Sequence, residues 1–593
     1  MKLKVKDESF DPSPLAKELG MAESAIRVFH NRGLETAQQI RHFLYFKPFQ
    51  LRNVEKMQDA GRFLMIVTDA IMTKKHITIY GDYDGDGVMA TTIWWTGLYN
   101  LCRDSEAPIP HWFINNRFKE GYGMNVAGVQ HLLHMYPETQ VIITCDNGIK
   151  ANEGVQYAID HGITVVVSDH HGQSEGEALP NCPVVCEKRL DESPNGEWFC
   201  GAELSRRLVI ELYRRMGALS RYRDFCNRLI AFSGLATITD SITMNAANHF
   251  VAKDGIRMMA KEEDICWQVF REECKPSAIN EDTIGFRYGP MINADGRVTG
   301  SVDTAMDVFI SSFGYETFKV SNPKMADKYL ARCRKAVRDL VEINEERKGM
   351  SAKGDRKAMS IIKEHGWDAA RCIVLDDESF EEGINGLISG HITEQYHVPS
   401  IVLCPKDGDD SIYKGSARSV PGFNIFEVLN QCKDLLIGFG GHPGAAGVSI
   451  KKENIPAFRE RIESIAERYV PEPSVTYQVD FILNPDEISP RLAQELASMA
   501  PFGEGFAKPT MGFKGDVTEI KILKERHVMF SMKTDSNTPL KIFWWNSVTN
   551  YESQKETVPD VHRICGVGGM PTYKLNYGKL EAQIYATEVQ LLP

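Results

Sequence analysis

The 593-residue chain lacks several of the features that settle a protein's class at a glance. Its thirteen cysteines are scattered and none stands in a C-x-x-C pair, so neither a zinc knuckle nor a disulfide framework is indicated. They read as reduced thiols of a cytoplasmic protein. No stretch approaches the roughly eighteen apolar residues of a membrane span, and Met1–Asp7 carries positive charge with no apolar run behind it, so neither a membrane anchor nor a signal segment is expected. There is no excess of positive charge either. With a net charge of −12 and a pI near 5.8, any contact with nucleic acid has to rest on a local basic patch. No internal repeat or low-complexity tract stands out. What remains is 43% hydrophobic and 25% charged, as in soluble globular proteins, on a chain too long for one hydrophobic core.

The most informative segment is Ile77-Thr78-Ile79-Tyr80-Gly81-Asp82-Tyr83-Asp84-Gly85-Asp86-Gly87, a short β-branched strand that ends in three alternating carboxylates and turns on glycine. The arrangement recurs. Val141–Cys145 runs into Asp146-Asn147-Gly148, and Ile163–Ser168 runs into Asp169-His170-His171. Hard carboxylates and imidazoles at the ends of buried strands describe a site for divalent cations. A calcium-binding EF-hand loop also begins D-x-D-x-D-G, but its twelfth position must be Glu and here it is Ile93. A dinucleotide turn through Gly85, Gly87 and Ala90 would place a pyrophosphate among three carboxylates. A solvated acidic turn would not explain why the next two strands end the same way.

Organisation follows from patterning. Residues 1–75 are helical and mixed, and are expected to pack on a domain over 76–320 in which strands alternate with helices, the mark of a parallel sheet covered on both faces. A charged, helix-periodic run over 321–365 reads as a connecting helix. A smaller α/β domain over 366–470 holds the glycine-rich run Gly438–Gly447. After the turn-forming Pro471-Glu472-Pro473, residues 471–593 are rich in short strands and read as a small β-barrel of the type that binds single-stranded nucleic acid.

Taken in order, D-x-D-x-D-G, C-D-N-G, S-D-H-H and Ile238-Thr239-Asp240 resemble the four motifs of the DHH phosphoesterase superfamily. The resemblance extends through Asn116-Arg117-Phe118, Gly121-Tyr122-Gly123, Gly289–Arg297, Gly415–Asn424, the Gly-Gly-His at 440–442 and Pro501–Gly505. In that order these are similar to the bacterial RecJ single-strand-specific exonucleases, over nearly the whole chain. It implies a DHH catalytic domain joined by the long helix to a DHHA1 substrate-binding domain and followed by an OB-like barrel. It also implies two ions, Mn²⁺ or Mg²⁺, with Asp84 and Asp86 each on one of them, Asp146 bridging, and His170 and Asp240 completing the second. Asp82 is then a further ligand or an orienting group, and His171 sits against the scissile phosphate. Tyr80 replaces a histidine found in some relatives, which leaves the first ion one donor short unless Asp82 supplies it. Asp169 either orients His170 or caps the following segment, and the His131/His134 pair reads as structural.

Substrate contacts implied by the same resemblance are Ser416 and Arg418 at a terminal 5′ phosphate, Arg117 and Tyr122 near that end, Asn293 and Arg297 close to the ions, and His442 with its flanking glycines. Phe543, Trp544 and Trp545 are candidates for base stacking, against the alternative that they are core. The implied function is a metal-dependent exonuclease degrading single-stranded DNA 5′ to 3′ to mononucleotides in repair or recombination. It is expected to act as a cytoplasmic monomer with a single-strand-binding protein or a helicase as partner. The alternatives are a phosphodiesterase for short oligonucleotides or cyclic dinucleotides, and a non-catalytic replication scaffold of the same fold.

Overall fold

Five short, mostly apolar strands build the first sheet, in the order His111–Ile114, Ile77–Gly81, Val141–Cys145, Thr164–Ser168, Val184–Val185, all parallel. The strand Ile77–Gly81 and its neighbour Val141–Cys145 are buried along their whole length, as expected when helices cover both faces. Strand order reverses beside Ile77–Gly81, and ligands of open parallel sheets sit outside the carboxyl ends at such a reversal. Asp82–Asp86 and Asp146 leave the sheet there. The structure is a computed structural model that describes residues 2–192, 197–406, 408–469, 476–483, 488–534, 539–576 and 579–593. The turn expected at Pro471-Glu472-Pro473 lies outside the described residues.

A single helix, Pro323–His365, capped by the Asn322 side chain and ended by left-handed Gly366, leads from the catalytic body to a second α/β body. There the mixed sheet runs Leu436–His442, Ala445–Lys451, Asp409–Arg418, Ser400–Lys406, Ile373–Asp376. The glycine-rich run is its edge hairpin: Gly440 pairs with Gly447 and His442 with Ala445. The last body is a closed barrel. Met511–Leu523, His527–Met532, Leu540–Trp544, Lys579–Leu592 and Arg563–Gly568 pair in that order, and the last returns to the first.

The amino-terminal region departs from expectation. Lys2–Val5 is a strand, not helix, and pairs in parallel with Thr476–Val479. The later part, from Phe46 through Ala60–Met72, packs into the catalytic core, and the Phe43 ring meets His249 of the same domain with centroids 4.3 Å apart. Ile26, Phe29, Ile40 and Phe43 also share a core with Phe481, Phe506, Phe513 and Phe530 of the barrel body and with Met244 and Ala252 of the catalytic domain, because the apolar stripe of these short helices is buried between the two. Arg32 fixes the arrangement with two bonds to buried Asp480, at 2.8 and 3.1 Å.

Candidate metal centre and substrate cleft

The loop after Ile77–Gly81 places its three acids by helix capping. Asp84 caps the helix Gly85–Asp104, accepting the amides of Asp86 and Gly87 at 3.0 Å each. Gly87 passes so close to the Asp82 carbonyl that a Cβ would stand 2.4 Å from it, which is why the acidic run must turn on glycine. Asp86 points at the start of a second helix, Gly201–Arg215, with Oδ2 and Oδ1 accepting the amides of Gly201 and Ala202 at 2.6 and 2.7 Å. Asp146 stands in the left-handed region at φ 64°, a conformation Asp and Asn tolerate better than most residues. Asp240 closes the helix Ile230–Thr239.

These elements converge. Donor atoms of Asp82, Asp84 and Asp146 lie within 4.8 Å of one another, and so do those of Asp86, His170 and Asp240. His170 Nε2 is 3.0 Å from Asp146 Oδ1, 3.6 Å from Asp86 Oδ2 and 3.7 Å from Asp240 Oδ2. Yet Asp146 Oδ1, fully buried, makes no hydrogen bond. A buried carboxylate oxygen without a hydrogen bond, 3.0 Å from an imidazole nitrogen, is what a bound cation would reconcile. Burial, and then the neighbouring carboxylates, push Asp86 up to about 7 and Asp240 up to about 8, with Asp82 and Asp146 also well above the carboxylate range. Burial, and then His171, push His170 down to about 3, keeping its lone pair free. Oxygen-rich donors with one imidazole suit Mg²⁺ or Mn²⁺. The residues present fit two such ions.

Asp169 is not part of either donor group. Its Oδ2 accepts the Ile149 amide at 2.9 Å, and its Oδ1 takes the His170 amide at 2.7 Å and His171 Nδ1 at 2.7 Å. It therefore holds the ring of His171 rather than that of His170. Burial works against charge on His171, but Asp169 outweighs it and lifts the imidazole to about 9. His171 Nε2 faces the Tyr122 hydroxyl at 3.2 Å. Tyr80, the residue that stands where some relatives carry histidine, is fully buried beside Phe113 and Val129, its hydroxyl bonded to Asn115. Its hydroxyl is engaged by Asn115, and the donor group nearest the acidic loop is made by Asp82, Asp84 and Asp146 without it.

Cationic groups from both bodies gather near the acids. Ser416, Lys414, Gly440 and Gly447 line a pocket of about 390 Å³ together with Arg117 of the catalytic body. Arg117 lies 5.1 Å over the Tyr83 ring. Arg297 is pushed down to about 10 by burial and then by Arg117, Arg418 and Arg347, a gathering of guanidiniums that calls for an anion. Asn293 is nearer the acids, with Oδ1 accepting the Gly85 amide at 2.7 Å. His442 lines a second cleft of about 600 Å³ with Tyr122, Lys150 and His171. Of the residues picked out for phosphate contact, Arg117 and Ser416 line the first of these clefts, and Tyr122, His171 and His442 the second. Arg347 and Lys414 join them unannounced by sequence, since a lone Arg on a charged helix or Lys on a strand looks like any solvated cation.

On the barrel, two of the three expected stacking residues are available. Trp544 is core at 3% exposure. Trp545, at 48%, stacks on Phe543 with centroids 5.9 Å apart, and Tyr585, at 44%, extends the same platform 6.2 Å from Trp545. Alternation along the strand puts 543 and 545 on one face and 544 on the other. Tyr585 joins them because it pairs in register with Phe543, a long-range fact.

Comparison with known proteins fits this architecture. The family model for the DHH family, N-terminal domain, matches residues 76–228, that for the DHHA1 domain 369–468, and that for the RecJ OB domain 479–574. The chain belongs to the DHH/DHHA1 phosphoesterase superfamily. Its third match puts it among the RecJ-like members. The single-stranded-DNA-specific exonuclease RecJ of Bacillus subtilis (strain 168) is 28% identical over 540 residues, covering 88% of this chain, which spans 63% of that relative's length. The Escherichia coli (strain K12) protein of that name is 25% identical over 546 residues, covering 87% of each. In fold, the chain matches crystalline RecJ from Thermus thermophilus in complex with Mn²⁺, with a TM-score of 0.77 at 21% identity over 99% of this chain and 79% of that one.

Proposed function

We propose that the chain is a metal-dependent exonuclease that degrades single-stranded DNA in the 5′ to 3′ direction, releasing mononucleotides, in DNA repair and recombination. The observation that carries this reading is a buried donor cluster suited to two divalent ions, with the guanidiniums of Arg117, Arg297 and Arg418 gathered nearby and suited to a terminal phosphate. Asp82, Asp84 and Asp146 would hold one ion, and Asp86, His170 and Asp240, with Asp146 between, the other. Two bound ions supply Lewis-acid polarisation of the phosphodiester and an activated water.

The remaining work falls to this chain's own groups. His171, held by Asp169 and charged at neutral pH, presents Nε2–H to a phosphate oxygen, where a positive donor offsets developing charge. Tyr122 keeps that ring in place. Arg418, Ser416 and Arg117 grip the terminal phosphate and so select the end that enters, with Arg297 beside the acids. Phe543, Trp545 and Tyr585 offer faces on which unpaired bases stack. A substrate of short oligonucleotides or cyclic dinucleotides would leave that platform idle, and a non-catalytic scaffold would leave seven acids and histidines without a task. A single-strand-binding protein or a helicase as partner, action as a monomer and a cytoplasmic location belong to the same reading.

The test is digestion of single- and double-stranded DNA labelled at either end, with Mn²⁺, Mg²⁺ or chelator. Expected are labelled mononucleotides released first from the 5′ end of single strands, and only with a cation. Equal attack on blunt duplexes, release from the 3′ end first, or cleavage in chelator would overturn it.

A further inference from the structure

At the amino ends of the same sheet, the end opposite the acids, three more metal-capable side chains meet. His76 immediately precedes the strand Ile77–Gly81, His111 opens the edge strand, and Glu138 lies just before Val141–Cys145. Their donor atoms all lie within 4.8 Å of one another, and His111 Nε2 is 2.8 Å from Glu138 Oε1. The meeting is imposed by strand register rather than by chance surface contact. His111 is paired with Thr78, and the amides of Gln140 and Val141 both donate to the His76 carbonyl, at 2.9 and 3.1 Å. The Gln140 side chain returns to the His76 amide at 3.1 Å. The His111 ring is further held by stacking on Tyr136, centroids 4.1 Å apart and planes 12° from parallel. The His76 ring has no hydrogen-bond partner among the described residues.

We infer that His76, His111 and Glu138 form a second metal site, selective for an imidazole-preferring divalent cation of the zinc or cobalt kind, distinct from the nuclease centre. Two histidines and one carboxylate, leaving a position for water, are a ligand set that zinc sites use, whereas the oxygen-rich cluster at the other end suits manganese and magnesium. Of the three, His111 is on a strand, and His76 and Glu138 stand one and three residues before the strands that follow them, which holds them more firmly than free loops would. The ion replaces the proton shared by His111 and Glu138 and ties three strands together at their origins. Nothing in this inference depends on the proposed nuclease reaction.

The test is a zinc soak of crystals of the full chain, with anomalous data collected on both sides of the zinc edge, together with zinc counting in solution. A peak within bonding distance of all three side chains is expected, as is the loss of one zinc per chain in His76→Ala and in His111→Ala, each retaining its Mn²⁺-dependent activity on DNA. Wild-type crystals carry the test even if a variant fails to fold. Peaks confined to the acidic cluster, no peak at all, or an unchanged zinc count in folded variants would overturn it.

Discussion

The Tyr80 hydroxyl donates to Asn115 Oδ1 over 2.5 Å, and Asn115 Nδ2 in turn donates to the carbonyls of Gly121 and Gly123 at 3.2 and 2.8 Å. Tyr80 thus braces the loop that carries Tyr122 to His171. Only glycine fits at 128, where a Cβ would stand 2.0 Å from the Tyr80 hydroxyl. Tyr80→Phe leaves a buried acceptor unpaired, at about 1–3 kcal/mol. Its expected effect is a several-fold rise in KM for single-stranded DNA with the number of bound manganese ions unchanged. Steady-state kinetics and metal counting check it; a lost ion would mean that Tyr80 serves the metals after all.

Asp146→Asn keeps the left-handed backbone but removes the charge between the two donor groups. Cleavage should fall about 10²–10³-fold or more. In the metal-free protein at pH 8 the same change should raise resistance to urea, because it deletes one member of a buried set of like charges. A variant that loses both activity and stability would argue for a purely structural Asp146.

Metal affinity should depend on pH with a definite sign. Asp86 and Asp240 bind protons up to about 7 and about 8 in the metal-free chain, so a cation entering below those values must displace them. Manganese binding is expected to strengthen as pH rises from 6 to 8, by at most about tenfold per unit for each proton displaced, and to level off above. By the same linkage these raised acids weaken the metal-free fold in full above pH 7–8, and that penalty shrinks as pH falls below their folded values and is gone near the ordinary value of 3.8. Calorimetry in buffers of different ionisation enthalpy should register proton release; flat affinity across this range would count against it.

Arg418→Ala should cost the discrimination between 5′-phosphorylated and 5′-hydroxyl strands. A charge-assisted contact contributes about 1.5–3 kcal/mol, roughly 10- to 150-fold in kcat/KM on the phosphorylated strand with little change on the other. Comparison of the two substrates separates this from general damage.

On the barrel, neighbouring tryptophans should behave oppositely. Trp545→Ala is expected to weaken single-strand binding by about 1–3 kcal/mol while leaving the fold intact. Trp544→Ala should leave a cavity worth about 3–5 kcal/mol of stability. Fluorescence anisotropy and chemical denaturation of the pair distinguish surface from core.

What sequence made legible was local. β-branched runs ending in acids announced both the sheet and the metal-capable residues, because strand, turn and donor lie within a dozen positions of one another. The span of the connecting helix was equally plain, since periodicity over 43 residues leaves little ambiguity. Hidden were facts made by distant pairing: the strand at Lys2–Val5, Tyr585 beside Phe543, Arg347 beside Arg297, and the meeting of His76, His111 and Glu138. Asp169 was readable as an orienting group, but which histidine it turns depended on a ring placement that no spacing encodes.

The pairing of Lys2–Val5 with Thr476–Val479 has a consequence for synthesis. At about 5–20 residues per second, the first strand leaves the ribosome some 25 to 95 s before its partner exists. Through that interval its edge and the apolar helices behind it stand uncovered while the catalytic body matures. A nascent chain stalled before residue 476 should therefore be captured by chaperones at its amino end, and released once the barrel arrives.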